Sequence, residues 1–180
     1  MNFEEKTISV NKIYKGGIIE VEAQKVTLPD GRVASRDIIR HPGAAAIVPI
    51  NDSNEVYMVR QFRKPVDKML LEIPAGKLDH NEDPRICAER ELKEETGLAA
   101  KDIKHLISIY STPGFSDEVL HIYSATGLSQ GETSMDEDEF LSCEKVHIDK
   151  LVDMVLNNEI NDAKSVIGIL LADRLCHNKD

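Results

Sequence analysis

Glu91, Glu94 and Glu95 stand at i, i+3 and i+4, and on a helix with about 3.6 residues per turn that spacing puts three carboxylates in one sector of the surface. Like charges this close repel, at roughly 0.2–0.5 kcal/mol per pair on an exposed helix. A solvated acidic face tolerates such a cluster, and that is its plainest reading. The neighbouring residues favour a more closely packed one. On a helical wheel the small Cys87 and Ala88 share the carboxylate sector, while the long side chains of Arg85, Arg90 and Lys93 point elsewhere. Hard oxygen donors without imidazole or thiolate suit Mg2+, with Mn2+ as a substitute, because these ions bind through carboxylates, waters and substrate phosphates. The implied substrate is phosphorylated. Just upstream, Ala75-Gly76 ends an apolar run, and a glycine there lets backbone groups approach an ion or a phosphate.

The elements that must position these residues are signalled locally. Asp83 offers a capping carboxylate ahead of Pro84 at the first helical position, so a helix is expected to run to Thr96 and stop at Gly97. Leu70–Pro74 reads as a short strand before it. Ala44–Ile50 and Glu55–Phe62 flank the turn residues Asn51-Asp52-Ser53-Asn54, which predicts a hairpin. The first forty residues alternate apolar and polar positions, with Pro29-Asp30-Gly31 as a turn, and predict a meander of exposed or half-buried strands. Ile103–Tyr110 and Glu118–Ala125 are further strands around the loop Ser111–Asp117, and the acidic stretch Ser129–Glu139 precedes another at Leu141–Ile148. Asp149–Asn158 and Asp162–Cys176 have helical spacing, with Ile167, Leu170, Leu171 and Leu175 as one apolar stripe. No repeat or long linker interrupts the pattern. These elements predict a mixed α/β sandwich with helices covering a largely antiparallel or mixed sheet.

Composition narrows the partners. A chain of 180 residues is the size of one domain, and 41% hydrophobic with 30% charged residues is a globular balance. No apolar run approaches the roughly 18 residues of a membrane helix, and Met1–Lys6 carries no apolar export segment, so the expected address is the cytoplasm with no membrane partner. Lys and Arg total 22 against 32 Asp and Glu, a net charge of −10. That balance disfavours nucleic acid, while a local basic site could still hold a small phosphate ligand. Cys87, Cys143 and Cys176 are far apart and read as reduced thiols; no H-E-x-x-H or C-x-x-C pattern points to zinc.

Gly76, Glu82, Arg90-Glu91-Leu92, Glu94-Glu95 and Gly97-Leu98 spell G-x5-E-x7-R-E-L-x-E-E-x-G-L. This resembles the Nudix box with no departure over its 23 residues. The resemblance implies an α/β/α Nudix sandwich with a mixed sheet, preceded by antiparallel strands. One Nudix domain would span 1–180, with residues 1–42 as a dimerisation region and 43–180 as the catalytic core. It also implies Mg2+-dependent hydrolysis of a nucleoside diphosphate linked to another group. By the same resemblance, Glu91 and Glu95 would be the main metal ligands and the Ala75 carbonyl a backbone ligand. Glu94 would be a further or shared ligand, and a base if none lies elsewhere. Glu82 would support the loop and the metal waters, Arg90 would orient a box glutamate, and Gly76 and Gly97 would be structural.

Outside the box, Ser111-Thr112-Pro113-Gly114-Phe115-Ser116-Asp117-Glu118 resembles the S-x-P-G-x-(S/T)-x-E segment of the ADP-ribose pyrophosphatase subfamily, although Pro-Gly is also a common plain turn. Arg60-Gln61-Phe62-Arg63, Leu71-Glu72-Ile73-Pro74-Ala75-Gly76 and Asp162-Ala163-Lys164-Ser165-Val166-Ile167 agree with that subfamily. It implies that Arg63 and Arg36 contact the nucleotide or diphosphate, with Arg40 and Arg60 near enough in sequence to be confused with them. Gly114 and Glu118 would belong to the substrate loop. A forked guanidinium suits an anionic substrate in an acidic protein. The subfamily's amino-terminal aromatic is not matched after Tyr14, where the chain reads Lys15-Gly16-Gly17-Ile18, so adenine stacking falls to Tyr14, Phe62 or Phe115. The acidic run Met135–Phe140 is either a solvated turn or, by the resemblance, the loop whose Glu137 or Glu139 enters the site as base or extra ligand. The expected reaction is hydrolysis of ADP-ribose to AMP and ribose 5-phosphate. Its rivals are another nucleoside diphosphate compound, such as an ADP-sugar, NADH or a dinucleoside polyphosphate, and a non-catalytic ADP-ribose sensor.

Overall fold

The computed structural model describes residues 2–131 and 140–177. They form two compact units, Met1–Gly43 with Tyr110–Val119, and Ala44–Ile109 with Leu120–Asp180.

In the first unit the alternating amino-terminal residues form three strands, β1 (Lys6–Lys15), β2 (Glu20–Thr27) and β3 (Val33–Arg40). They pair antiparallel in the order β1-β2-β3, as the meander reading expected. The turn between β2 and β3 contains Gly31 at φ 86°, a left-handed conformation that glycine adopts without steric cost. β1 is exposed at all ten positions, whereas β2 buries Glu22, Gln24 and Val26 on one face. The loop 111–118 is laced to the end of β3: Ile39 N donates to Phe115 O at 2.7 Å, Asp117 N donates to Ile39 O at 3.2 Å, and Arg40 bonds Asp117 at 2.9 Å.

The second unit is layered around β4 (Ala44–Pro49). Its side chains alternate between two cores. Ala45 and Ile47 join Cys87, Ala88, Leu92, Leu98, Tyr123 and Ala125, while Ala46 and Val48 join Met58, Ile73, Ile122, Ile148, Leu151 and Ile169. A strand buried on both faces reads as a continuous apolar run, which Ala44–Ile50 does. β4 pairs parallel with β9 (Val119–Gln130) and antiparallel with β7 (Ala75–Lys77), in a sheet completed by β8 (Leu98–Tyr110) in the order β7-β4-β9-β8. A second antiparallel sheet has the order β10-β5-β6, from β5 (Glu55–Arg63), β6 (Lys68–Glu72) and β10 (Leu141–His147). Helix α1 (Pro84–Thr96) supplies the first core, and α2 (Ile148–Leu156) and α3 (Ala163–His177) supply the second. Helices on both faces of a mixed sheet are the expected α/β/α sandwich.

Two expectations are corrected. Ala44–Ile50 and Glu55–Phe62 are not a hairpin: β4 and β5 belong to different sheets and touch through the single bridge Ile50–Val56. The turn itself forms, with Asn51 Oδ1 accepting from Ser53 N and Glu55 N and with Asn54 at φ 57°. The doubly buried β4, however, is better satisfied inside a sheet covered on both faces. The α3 stripe is also displaced. Its buried face is Ser165, Gly168, Ile169 and Ala172, while Leu170 and Leu175 are exposed. Gly168 permits this approach, since a Cβ there would lie 2.8 Å from Ile73 Cδ1 and 3.0 Å from Val48 Cγ2. No helix among the described residues is long and apolar enough to cross a membrane.

Candidate active site

α1 starts and stops where its local signals say. Asp83 Oδ1 accepts from Arg85 N at 2.9 Å, Pro84 opens the first turn, and Gly97 closes the helix at φ 69°. Cys87, Ala88 and Leu92 pack beneath it, so Glu91 and Glu95 on the same side are drawn into the protein at 6% and 3% exposure. Burying carboxylates is costly unless they are hydrogen-bonded or paired. Two features meet that cost. Glu95 Oε2 accepts from Ala75 N at 3.1 Å, and Arg90 folds back over the cluster.

Arg90 is the centre of the site. Its Nη1 donates to Glu91 Oε1 at 2.6 Å and Glu94 Oε2 at 2.8 Å, and its Nε and Nη2 donate to the two Glu82 oxygens at 3.0 and 3.1 Å. The wheel reading that sent Arg90 away from the carboxylate sector is therefore wrong; its long stem lets the guanidinium curl back across the helix surface. Its expected pairing with box glutamates holds. The Arg90 guanidinium keeps the Glu82 carboxyl below the usual range, and Asp79 N donates to Glu82 at 2.9 Å, which ties the loop before the helix to the same cation. Beneath them Cys87 Sγ lies 3.6 Å from Gly76 O and 3.5 Å from Lys77 O, and burial, followed by the Glu82 charge, pushes this thiol up to about 12. Cys87 is thus a neutral spacer and no nucleophile.

Gly76 lies in close contact with Glu91. A Cβ there would lie 1.8 Å from Glu91 Oε1 and 2.2 Å from its carboxyl carbon. Glu91 therefore rests directly on the β7 backbone. Gly76→Ala is expected to displace this carboxylate and lower turnover at least tenfold, about the effect of disturbing a group that orients a ligand, with a raised requirement for divalent cation. A titration of rate against Mg2+ checks this, and an unshifted curve would contradict it.

The donors fit a hard divalent cation. Three carboxylates, Glu82, Glu91 and Glu94, share the single charge of Arg90, and two further oxygens belong to the buried Glu95. This leaves the neighbourhood negative and oxygen-rich. Among the described residues, three ligand atoms within 4.8 Å of one another occur at Asp149, Asp173 and His177, a surface group in which His177 pairs with both aspartates. The α1 glutamates do not belong to it.

Of the other anticipated residues, Arg63 lies in the second unit with its fork on Glu72, through Nε–Oε1 and Nη2–Oε2 bonds of 2.8 Å each, and within electrostatic reach of Glu95. Arg36, Gly114 and Glu118 belong to the first unit. Arg36 is paired with Glu5, Gly114 is in open space, and Glu118 accepts from Ser111 Oγ at 2.5 Å and faces His41 Nδ1 at 3.5 Å. Arg60 pairs with Glu144, and Tyr14, Phe62 and Phe115 are all about half exposed. Glu137 and Glu139 lie outside the described residues. No role was expected for Glu72 or Lys164, which the structure pairs and buries at 1% and 8% exposure. The signal that could have found them is a lone carboxylate inside the apolar run Leu70–Pro74, since a buried charge calls for a counter-charge.

This fold and this glutamate helix define a Nudix protein, and the NUDIX domain model matches residues 40–167: the chain belongs to the Nudix family and is a Nudix hydrolase. It is 40% identical to an ADP-ribose pyrophosphatase of Bacillus subtilis (strain 168), over 93% of this chain and 92% of that one. It is 35% identical to an ADP-ribose pyrophosphatase of Mycobacterium tuberculosis, over 92% and 81%. A protein of Bacillus methanolicus named methanol dehydrogenase activator is 44% identical over 93% and 91%. A solved structure of an ADP compounds hydrolase superposes with a TM-score of 0.86 at 22% identity, over 97% of this chain and 96% of its own, a likeness of fold.

Proposed function

We propose that this chain hydrolyses the diphosphate bond of ADP-ribose to AMP and ribose 5-phosphate with Mg2+, or Mn2+ in its place. The observation that supports it is the packing of Glu91 onto Gly76, with Glu82, Glu91 and Glu94 gathered on the Arg90 guanidinium. The cation would be held by Glu91, Glu95 and the Ala75 carbonyl, with Glu94 as a further ligand. When bound it supplies charge neutralisation of the diphosphate and an acidified water. Arg90 and Glu82 hold the glutamates in place, and Arg63 and Arg36 bind the substrate's anionic part. Gly114 and Glu118 shape the sugar end, and Glu137 or Glu139 removes the proton of the attacking water. A kcat lowered more than KM is raised in one of the two glutamine variants would identify that base.

The names of the 40% and 35% relatives support the choice of substrate. Rates on ADP-ribose, ADP-glucose, NADH and diadenosine polyphosphates test it: ADP-ribose is expected to have the highest kcat/KM, and equal or better turnover of any other compound would reassign the substrate. The name of the 44% relative supports a second reading, activation of a methanol dehydrogenase. Adding the chain to such an enzyme and measuring its turnover tests that directly. The protein would act in the cytoplasm as one Nudix domain, with 43–180 as the catalytic core. It would form a homodimer through its amino-terminal strands, since β1 leaves Ile8, Val10, Ile13 and Tyr14 exposed; a monomer by sedimentation would remove the last point.

A further inference from the structure

Arg63 is pinned along one edge of its guanidinium. Nε and Nη2 take the two Glu72 oxygens, and Nη1 has no hydrogen bond to a described residue, while the side chain keeps 38% of its surface exposed. A guanidinium carries five N–H donors in a rigid fork, so a bidentate pair along one edge leaves the other edge aimed and available. The anchor is itself anchored. Glu72, at 1% exposure, also accepts from Lys164 Nζ, and Lys164 Nζ donates to Asp162 Oδ2 at 2.9 Å. The same Asp162 oxygen accepts from Ser165 N at 3.0 Å and Ser165 Oγ at 2.6 Å, and Ser165 Oγ accepts from Ile73 N at 2.9 Å. The chain of bonds thus leaves β6 at Glu72 and returns to the backbone one residue later, closed through the first turn of α3.

For stability alone a buried set of charges is a poor device, because well-packed apolar residues of similar volume serve as well or better. Its use is to fix direction. An exposed arginine gives up rotamer freedom when it is immobilised, and an arginine fixed before the ligand arrives does not bear that cost at binding.

We propose that Lys164, acting through Glu72, is a positioning residue that aims the free edge of Arg63 at the diphosphate of the substrate. This rests on the reading of Arg63 as a phosphate-binding arginine. Lys164 touches no substrate; it holds Glu72 in the rotamer that holds Arg63.

The test is a double-mutant cycle with Lys164→Met, which keeps the stem and removes the charge, and Arg63→Met. The Kd for ADP is measured by calorimetry with Mg2+, and KM and kcat on whichever diphosphate compound the wild type hydrolyses best. Lys164→Met is expected to weaken ADP binding and raise KM about tenfold, within the range for directly coupled neighbours, with kcat nearly unchanged. In the Arg63→Met background it should have no further effect on either. Equal losses in both backgrounds, unaltered ADP affinity in Lys164→Met, or a wild type that does not bind ADP would each overturn the proposal. If Lys164→Met does not fold, Lys164→Gln, which removes the charge and shortens the reach to Glu72, replaces it in the same cycle; a loss of a few-fold in ADP affinity that disappears in the Arg63→Met background is then expected, and an equal loss in both backgrounds, or none, overturns the proposal. A wild type that binds ADP but does not cleave ADP-ribose would remove the substrate assignment and leave this cycle standing.

Discussion

Glu95→Gln, and separately Glu91→Gln, should fold as the wild type does and lose about 10²-fold or more of turnover at saturating Mg2+. The fold survives because an amide keeps both volume and a carbonyl acceptor. Ala75 N can still donate to position 95 and Arg90 Nη1 to position 91, two of the bonds made there. What is lost is the negative charge that, on the proposed reading, would hold the cation. A bound cation contributes several kcal/mol of transition-state charge stabilisation, and about 1.36 kcal/mol is a factor of ten in rate. Steady-state rates beside urea unfolding curves separate the two effects. Near-wild-type turnover of these variants would mean that the charges of Glu91 and Glu95 hold no cation needed for the reaction.

Glu72→Ala is expected to have the largest effect on stability, a loss of about 3–5 kcal/mol, the usual result of removing one partner from a buried charge pair. For a chain of this size that is roughly 6–20 °C in melting temperature. The variant takes the shared carboxylate from half-buried Arg63 and leaves Lys164, a cation at 8% exposure, with Asp162 alone. Burial pushes the Glu72 carboxyl up, but the Arg63 guanidinium and the Lys164 ammonium outweigh it and hold the group below its ordinary value of 4.5. A group whose folded-state pKa is depressed contributes stability that is complete above the unfolded value and is lost as pH falls through the folded one. The gap between wild type and Glu72→Ala should therefore be constant from about neutral pH down to about pH 5.5 and narrow in acid below that. Urea unfolding of both proteins across this range measures it, and a gap that widened on acidification would contradict the assignment.

The contrast between α1 and α3 explains what the sequence could convey. Every signal that defines α1 is local: the Asp83 cap, Pro84, Gly97 and the carboxylate spacing lie within a few residues of the bonds they make. The box was legible for that reason, and only the reach of Arg90 was misjudged, because a wheel fixes where a side chain begins and not where a long one ends. In α3 the apolar spacing was read from the largest residues, yet the face that packs is the small one, Ser165, Gly168 and Ala172 with Ile169. Its choice depends on Ile73 and Val48, far away in sequence. The turn Asn51–Asn54 was likewise read correctly, while its strands found other partners, β9 for β4 and β10 and β6 for β5. Pairing is decided by non-local burial, which turn chemistry does not report. The Glu72–Lys164 pair was hidden for the same reason, since each residue explains the other only once the fold has brought them together.

On the proposed reading the glutamate helix holds a cation with which this chain cuts the diphosphate of ADP-ribose. Metal-stripped protein incubated with ADP-ribose, with and without added Mg2+, and resolved by chromatography, measures that directly. The expected result is AMP and ribose 5-phosphate in equal amounts with Mg2+ and intact ADP-ribose without it. Intact ADP-ribose in both samples, or cleavage at the same rate in both, would contradict it.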